Sequence, residues 1–411
     1  PPDVVEFLLF TAPLEMMCAP LCNEVLNAAD RPQRIDSHAV LNYLVRSNLF
    51  LVALDNKGHW YRYHHLFREA LLYWLRTQHS ADTIATIQRQ AAAWFARNGH
   101  LEPAVRQLLE IEAAEEAGNL IEVAIAPALG RETWPQVQQL LAALPDEVIT
   151  QRPVLLMAQA WLFSVMQRMD LVPGLLQQAE TLLCRQREEG RWSESPPWVQ
   201  GWIHGLWCLV HMLRWDTAGA ISNAQQALAL TPPHHVYVRG ITTTYYGLAL
   251  RNAGRYDDAL ALCAQTLVGA EEEETEHRVL AALGMLATYE GDLHGLAAAG
   301  ERNLRAGSAW KMSRPHAWGH LFLGVAEYEQ NNLEAAQRHF LATHTDRFGG
   351  AAVLGLDSCY GMALTSLALG DSSGAQEWAE KMALLAQEAE NVYLMATAQW
   401  FACRLALAEG N

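Results

Sequence analysis

Along most of the chain the apolar positions return every three or four residues, the period of a helix with one buried face. From about residue 100 this pattern is interrupted at regular intervals by short polar turns, so the segments between them read as paired helices. NAGRYDDALALCAQTL at 252–267 shows the form. Gly254 closes one helix, Asp257 and Asp258 open the next with charge suited to its N-terminus, and Ala259 is small where two helices must touch. Similar segments are NGHLEPAVRQLLE (98–110), RMDLVPGLLQQAETLL (168–183), LRWDTAGAISNAQQAL (213–228), YEGDLHGLAAAGERNL (289–304), EQNNLEAAQRHFL (329–341) and LGDSSGAQEWAEKM (369–382), with a degenerate copy at GRETWPQVQQLLAAL (130–144). The equivalent positions are Ala104, Gln136, Gly174, Ala220, Ala259, Leu296, Ala336 and Ala375, and the last four intervals are 39, 37, 40 and 39 residues. A second small position recurs twelve residues earlier in the last five units, at Cys208, Gly247, Gly284, Gly324 and Ala363. Two small positions at fixed offsets let paired helices approach closely and stack as a solenoid.

The array resembles tetratricopeptide (TPR) repeats lengthened to about 39 residues, here about eight helical hairpins. Residues 4–100 read differently. DVVEFLLFTA, MMCAPLCNEVLNAA and DSHAVLNYLVRSN have helical spacing, with Asp36 or Ser37 as an N-cap. LFLVAL and HWYRYH alternate like strands around DNKG, whose Asn56, Lys57 and Gly58 suit a tight hairpin, and LFREALLYWLRTQ returns to helix. Three helices, a hairpin and a closing helix describe a winged helix. The predicted fold is therefore all-α, with a winged-helix domain at 1–80 followed by a TPR-like superhelix at 81–411.

Charge refines this picture. Residues 1–100 hold nine basic and nine acidic side chains, whereas 101–411 hold twenty and thirty-six, so the whole formal charge of −16 lies in the repeats. A surface that acidic repels phosphate backbones, and the winged helix is neutral, so no direct nucleic-acid contact is expected. No run of 18 uncharged apolar residues occurs, and no membrane span is expected. Seven scattered cysteines point to buried thiols in a reducing, cytoplasmic compartment; Cys18 and Cys22 lack a second pair with ligand spacing, so no metal site is expected. No G-x-S-x-G, H-E-x-x-H, dinucleotide fingerprint or Cys/His arrangement appears, which argues against an enzyme.

LFLVALDNKGHWYRYHHLFREAL, followed by AAAWFARNGHLEPAVRQLLEIEAAEEAGNLI and ALPDEVITQRPVLLMAQAWLF, is similar to the MalT-type LuxR transcriptional activators. The specific motifs cover residues 1 to about 183, and the remainder is similar through its repeats. That resemblance implies a signal-transduction ATPase with a nucleotide-binding domain, a winged helix, a TPR-like sensor and a C-terminal helix-turn-helix. This sequence has no G-x-x-x-x-G-K-[ST] loop and no basic recognition helix after residue 383, so it reads as the winged helix plus sensor. ATP or ADP would then belong to the full-length regulator, with no cofactor in this chain. The implied partners are a small-molecule inducer, the regulator's own nucleotide-binding domain, and further copies on activation. The family's Tyr-His-x-Leu-Phe motif falls on Tyr63, His64, His65, Leu66 and Phe67, with His65 where Pro is frequent. The resemblance gives His64 the role of reaching the phosphates of ADP, a task suited to an imidazole donor beside negative charge. His65, Tyr61, Tyr63 and Phe67 read as packing at a hairpin–helix junction.

In TPR-like superhelices the first helix of each hairpin lines the concave face, at 18, 15, 11 and 8 residues before the second-helix small position. Those offsets select Trp202, Thr244, Arg251, Arg278, Trp318, Tyr328, Asp357 and Tyr360 as polar or aromatic effector candidates. Such a set fits a sugar, an aromatic small molecule or a peptide. WSESPPW (192–198) reads as a loop overhanging the groove, and EEEETEH (271–277) as a charged helix start. Two functions stay open here: the effector-sensing part of a regulator, and a TPR scaffold for proteins or peptides.

Overall fold

The computed structural model describes residues 2–27, 35–47, 50–56, 58–130, 133–190, 195–268, 273–310, 313–346, 352–388 and 392–408. Lys57, and parts of the 192–198 and 271–277 segments, lie outside the described residues. Among those described there are twenty-two helices and one two-stranded antiparallel sheet. The chain divides into two units, one of residues 1–126 with 138–149 and one of 127–137 with 150–411.

The first unit begins with α1 (Pro2–Thr11), α2 (Ala19–Asn27), α3 (Ser37–Arg46), β1 (Leu51–Ala53), β2 (Tyr61–Tyr63) and α4 (His65–Gln78). Asp36 starts α3 as expected, its carboxylate accepting from the His38 and Ala39 amides at 3.0 and 3.2 Å. The hairpin pairs Leu51 with Tyr63 and Ala53 with Tyr61. Its connection is wider than a tight turn. The Leu54 amide donates to Trp60 O at 2.8 Å, and the Asp55 carboxylate accepts from the His59 amide at 2.9 Å. A further backbone segment joins the sheet through a bridge between Met17 and Tyr61, which no alternation in the sequence announces. Phe7, Leu14, Met17, Leu21, Leu41, Leu44 and Leu75 fill the core beneath it. The chain continues through α5 (Ala81–Arg97), α6 (Leu101–Leu109), α7 (Ala114–Gly130), α8 (Trp134–Ala143) and α9 (Asp146–Thr150). The hairpin of α5 and α6 shares this unit, with α5 packed on α2.

The second unit stacks the pairs α10 (Pro153–Val165) and α11 (Val172–Glu188), α12 (Trp198–Leu213) and α13 (Thr217–Leu230), and α14 (Val236–Asn252) and α15 (Tyr256–Val268). It continues with α16 (Glu273–Glu290) and α17 (Leu293–Trp310), α18 (Ser313–Glu329) and α19 (Leu333–Asp346), α20 (Ala352–Ala368) and α21 (Ser372–Glu388), and α22 (Val392–Ala408). Helices of a pair pack together, and each first helix also meets the first helix of the next pair, the contact pattern of a solenoid. Ala104, Ala220, Ala259, Leu296, Ala336 and Ala375 are all buried at the helix crossings. The register slips at the two irregular units. Gln136 and Gly174 are exposed, and Val137 and Val172 are buried beside them instead. Of the second small positions, Gly284 and Gly324 are obligatory: a Cβ there would overlap the rings of Phe322 and Phe340. Gly247 is looser, since a Cβ would lie 3.7 Å from Leu286 Cδ1.

Five cysteines are buried thiols, while Cys184 and Cys403 are exposed, and none of the seven forms a disulfide among the described residues. Among the described residues no helix is long and apolar enough to cross a membrane.

Candidate functional site

In the first unit, Tyr63 and His64 face opposite ways because they are neighbours across the end of a strand. Tyr63 is buried. Its hydroxyl donates to Thr11 Oγ1 at 2.6 Å, and Thr11 Oγ1 donates to Phe7 O at 2.7 Å. Tyr61 donates to Gly58 O, Phe67 stacks on Phe50, and Trp60 packs against Trp94, Phe95 and His100. These aromatics hold the junction together. His64 is exposed at the N-cap of α4, its amide donating to Phe50 O at 2.7 Å and its ring lying 4.7 Å from that of His65. The imidazole makes no side-chain hydrogen bond to the helix start.

His64 lines a cleft of about 700 Å³ together with His65, Arg62, Arg68 and Arg106. Glu15 and Glu102 also line it, and both pair with Arg106. Arg68 donates to Ala12 O and Pro13 O at 3.0 Å, which ties α4 to the end of α1. The Arg62 side chain makes no hydrogen bond or ion pair among the described residues. An exposed imidazole, a nearby guanidinium and the N-terminus of a fourteen-residue helix suit an anionic oxygen.

In the second unit, a cavity of about 190 Å³ opens among the first helices of successive hairpins. Trp161 comes from α10, Leu209 from α12, Tyr237, Ile241, Thr244 and Tyr245 from α14, and Arg278, Ala281 and Met285 from α16. Trp318 of α18 and Leu354 of α20 complete the wall. The offsets expected for the concave face recur here. Ile241, Arg278 and Trp318 sit at the first of them, Thr244 and Ala281 at the second, Leu209 and Met285 at the third. Arg278 is only 4% exposed, with its guanidinium carbon 4.4 Å from the centre of the Tyr237 ring. Thr244 turns its hydroxyl to Gly240 O at 3.0 Å.

Of the eight effector candidates, Thr244, Arg278 and Trp318 meet in this cavity. Trp202 does not line it. It is buried behind Trp161, ring centres 6.4 Å apart, and donates to His235 Nδ1 at 2.8 Å. Burial, and then the neighbouring His234, lower the His235 pKa to about 4, which keeps that acceptor neutral. Arg251 joins two repeat turns by donating to Glu290 at 2.6 Å and to Tyr289 O at 3.0 Å. Tyr328 packs in the cluster of Ala336 and Phe340, and Tyr360 lies edge-on to Phe401. Asp357 keeps a strip of exposed surface, yet desolvation raises its carboxyl to about 7. Sequence offsets missed Trp161 and Tyr237. Trp161 belongs to the irregular unit whose register slips, and Tyr237 lies one turn ahead of the first offset in α14.

Residues 1–83 match the family model of the MalT winged helix domain. The chain is 28% identical over 281 residues to the HTH-type transcriptional regulator MalT of Cronobacter sakazakii, covering 68% of this chain and 29% of that one. It is 27% identical over 184 residues to the serine/threonine-protein kinase PknK of Mycobacterium tuberculosis, covering 45% of this chain and 16% of the kinase. The chain thus spans less than a third of the length of these curated relatives. Its fold is similar to that of a Signal Transduction ATPase with Numerous Domains (STAND) protein with a tetratricopeptide repeat sensor from Pyrococcus horikoshii. That match has a TM-score of 0.61 at 13% identity, over 100% of this chain and 60% of that one. The protein therefore carries a MalT-type winged helix followed by a TPR-like superhelix, and is related to the MalT-type transcriptional regulators.

Proposed function

We propose that this chain is the winged-helix and sensor part of a MalT-type regulator, and that a small-molecule inducer is held in the superhelix cavity. The observation that carries this reading is the cavity wall, built almost wholly from first helices, with seven of its fifteen lining residues at the concave-face offsets. A concave, mostly apolar wall with a few polar groups is what small-ligand sites require. A ligand there touches helices from six successive hairpins, so its binding energy is available to change how they stack. His64 takes the complementary role at the other unit. Its exposed imidazole reaches a phosphate of ADP held by a nucleotide-binding domain outside this sequence, and holds the resting state closed. ATP or ADP is then the cofactor of the full-length regulator, and activation leads to self-association.

The test is a thermal-shift screen of metabolites on this chain, with no nucleotide added. An effector at about a hundred times its dissociation constant adds about 2.7 kcal/mol of stability. Trp318→Ala loses that shift, and Glu380→Ala, an exposed residue of α21, keeps it. An effector that stabilises both variants equally with the wild type binds elsewhere, which would favour the scaffold reading.

A further inference from the structure

We infer that Arg62 is a second phosphate-reading residue beside His64, so that the winged-helix cleft takes the two phosphates of a diphosphate together. This rests on the reading of His64 as the residue that meets ADP, and goes further by adding a second contact and fixing what the pair recognises.

The strand places the pair. Burial alternates along β2, with Tyr61 and Tyr63 inside and Arg62 between them exposed. The ladder runs one residue further, because the His64 amide donates to Phe50 O at 2.7 Å. His64 therefore follows the same alternation and is exposed like Arg62. Side chains two residues apart on one face of a strand start about 7 Å apart. An arginine stem spans that gap, and a diphosphate carries oxygens on two phosphorus centres, so one such group meets both residues. Arg62 and His64 line the same cleft of about 700 Å³, a volume within the range of small-molecule sites.

Charge balance singles out Arg62 among the basic groups there. Arg106 pairs with Glu15 and Glu102, the two carboxylates that line the cleft. Arg68 donates to Ala12 O and Pro13 O at 3.0 Å and lies 3.8 Å from Glu110, so its fork is spent on the fold. Arg62 has no such contact among the described residues. Its partner across the sheet is Val52, an apolar residue that lines the cleft with it. A guanidinium in that position keeps its charge and its parallel N–H donors for a ligand, and phosphate oxygens match the fork.

The experiment is equilibrium dialysis of the 411-residue chain with radiolabelled pyrophosphate, ADP and adenosine. Pyrophosphate and ADP are expected to bind with dissociation constants of about 1 mM, and adenosine at least about tenfold more weakly. Arg62→Gln and His64→Gln should each weaken pyrophosphate at least about fivefold, and Arg62→Lys should keep part of the affinity. Arg185→Gln, which removes the same charge from an exposed position of α11 in the other unit, should leave binding unchanged. Circular dichroism checks that the variants fold; if Arg62→Gln does not, the comparison of Arg62→Lys with the wild type decides, and equal affinity overturns the inference. Adenosine binding as tightly as ADP overturns it, and so does Arg185→Gln weakening pyrophosphate as much as Arg62→Gln, the mark of general charge attraction. No pyrophosphate bound by the wild type at about 10 mM overturns it as well. Binding that depends on His64 but not on Arg62 would overturn the role of Arg62 and leave the reading of His64 standing. Pyrophosphate binding indifferent to both residues would remove both.

Discussion

Two titratable side chains of the superhelix sit where burial works against their charged forms, and their pH dependences run in opposite directions. Desolvation raises Asp357 to about 7, so the folded chain keeps a proton that the unfolded chain has released by pH 5. Stability from this group is therefore lost as pH rises from about 4 through 7, and is flat above. Asp357→Asn should match the wild type near pH 4 and exceed it above pH 7, by at most about 4 kcal/mol given the partial exposure of the group. Urea midpoints at both ends of that range check this, and a pH-independent difference would contradict it. His235 is lowered to about 4 and accepts from Trp202 as a neutral ring, so its contribution is present above 6.5 and lost as pH falls through 4. His235→Gln should flatten that acid limb. His64 is a contrasting case. Because its ring is exposed and holds nothing in the fold, His64→Ala should change the stability of this chain by less than about 0.5 kcal/mol. In the full-length regulator the same change should raise basal transcription about tenfold or more, through loss of one charge-assisted hydrogen bond. Unchanged basal transcription with normal ADP retention would reduce His64 to a junction residue.

At the scale of elements, the glycines of the first helices separate packing from conformational preference. Gly284→Ala forces the Phe322 ring out of its place and should cost about 1–3 kcal/mol. Gly247→Ala meets only a methyl at 3.7 Å, in the middle of α14, and should stabilise by about 0.4–1 kcal/mol. Denaturant midpoints of opposite sign are the expected outcome, and equal costs at both positions would contradict the crossing geometry. Both residues recur at the same place in the repeat, so pattern alone could not tell them apart; the difference is whether the facing side chain is Phe322 or Leu286. The helices and the hairpin were legible because each shows its own period and its own start signal, as Asp36 does. The Met17 bridge was not, because one backbone pair leaves no alternation to read. The slip at Gln136 and Gly174 has a similar cause: with long and short repeats adjacent, a small residue is a weak marker of the crossing.

The whole molecule joins a winged helix of the MalT type to a TPR-like superhelix. Repeat offsets reach Thr244, Arg278 and Trp318, which line a common cavity, but the same offsets also select Trp202 and Tyr360. Trp202 is buried behind Trp161 and the half-buried Tyr360 packs edge-on to Phe401, a matter of three-dimensional packing that a one-dimensional offset does not contain. The central claim is that a small effector binds inside this cavity. It is tested most directly by titrating the effector found by screening into the wild-type chain and into Ala281→Leu, whose added carbons occupy the ligand's space. The account predicts saturable binding to the wild type, and binding at least about tenfold weaker to the folded variant. An unchanged dissociation constant in Ala281→Leu would contradict it.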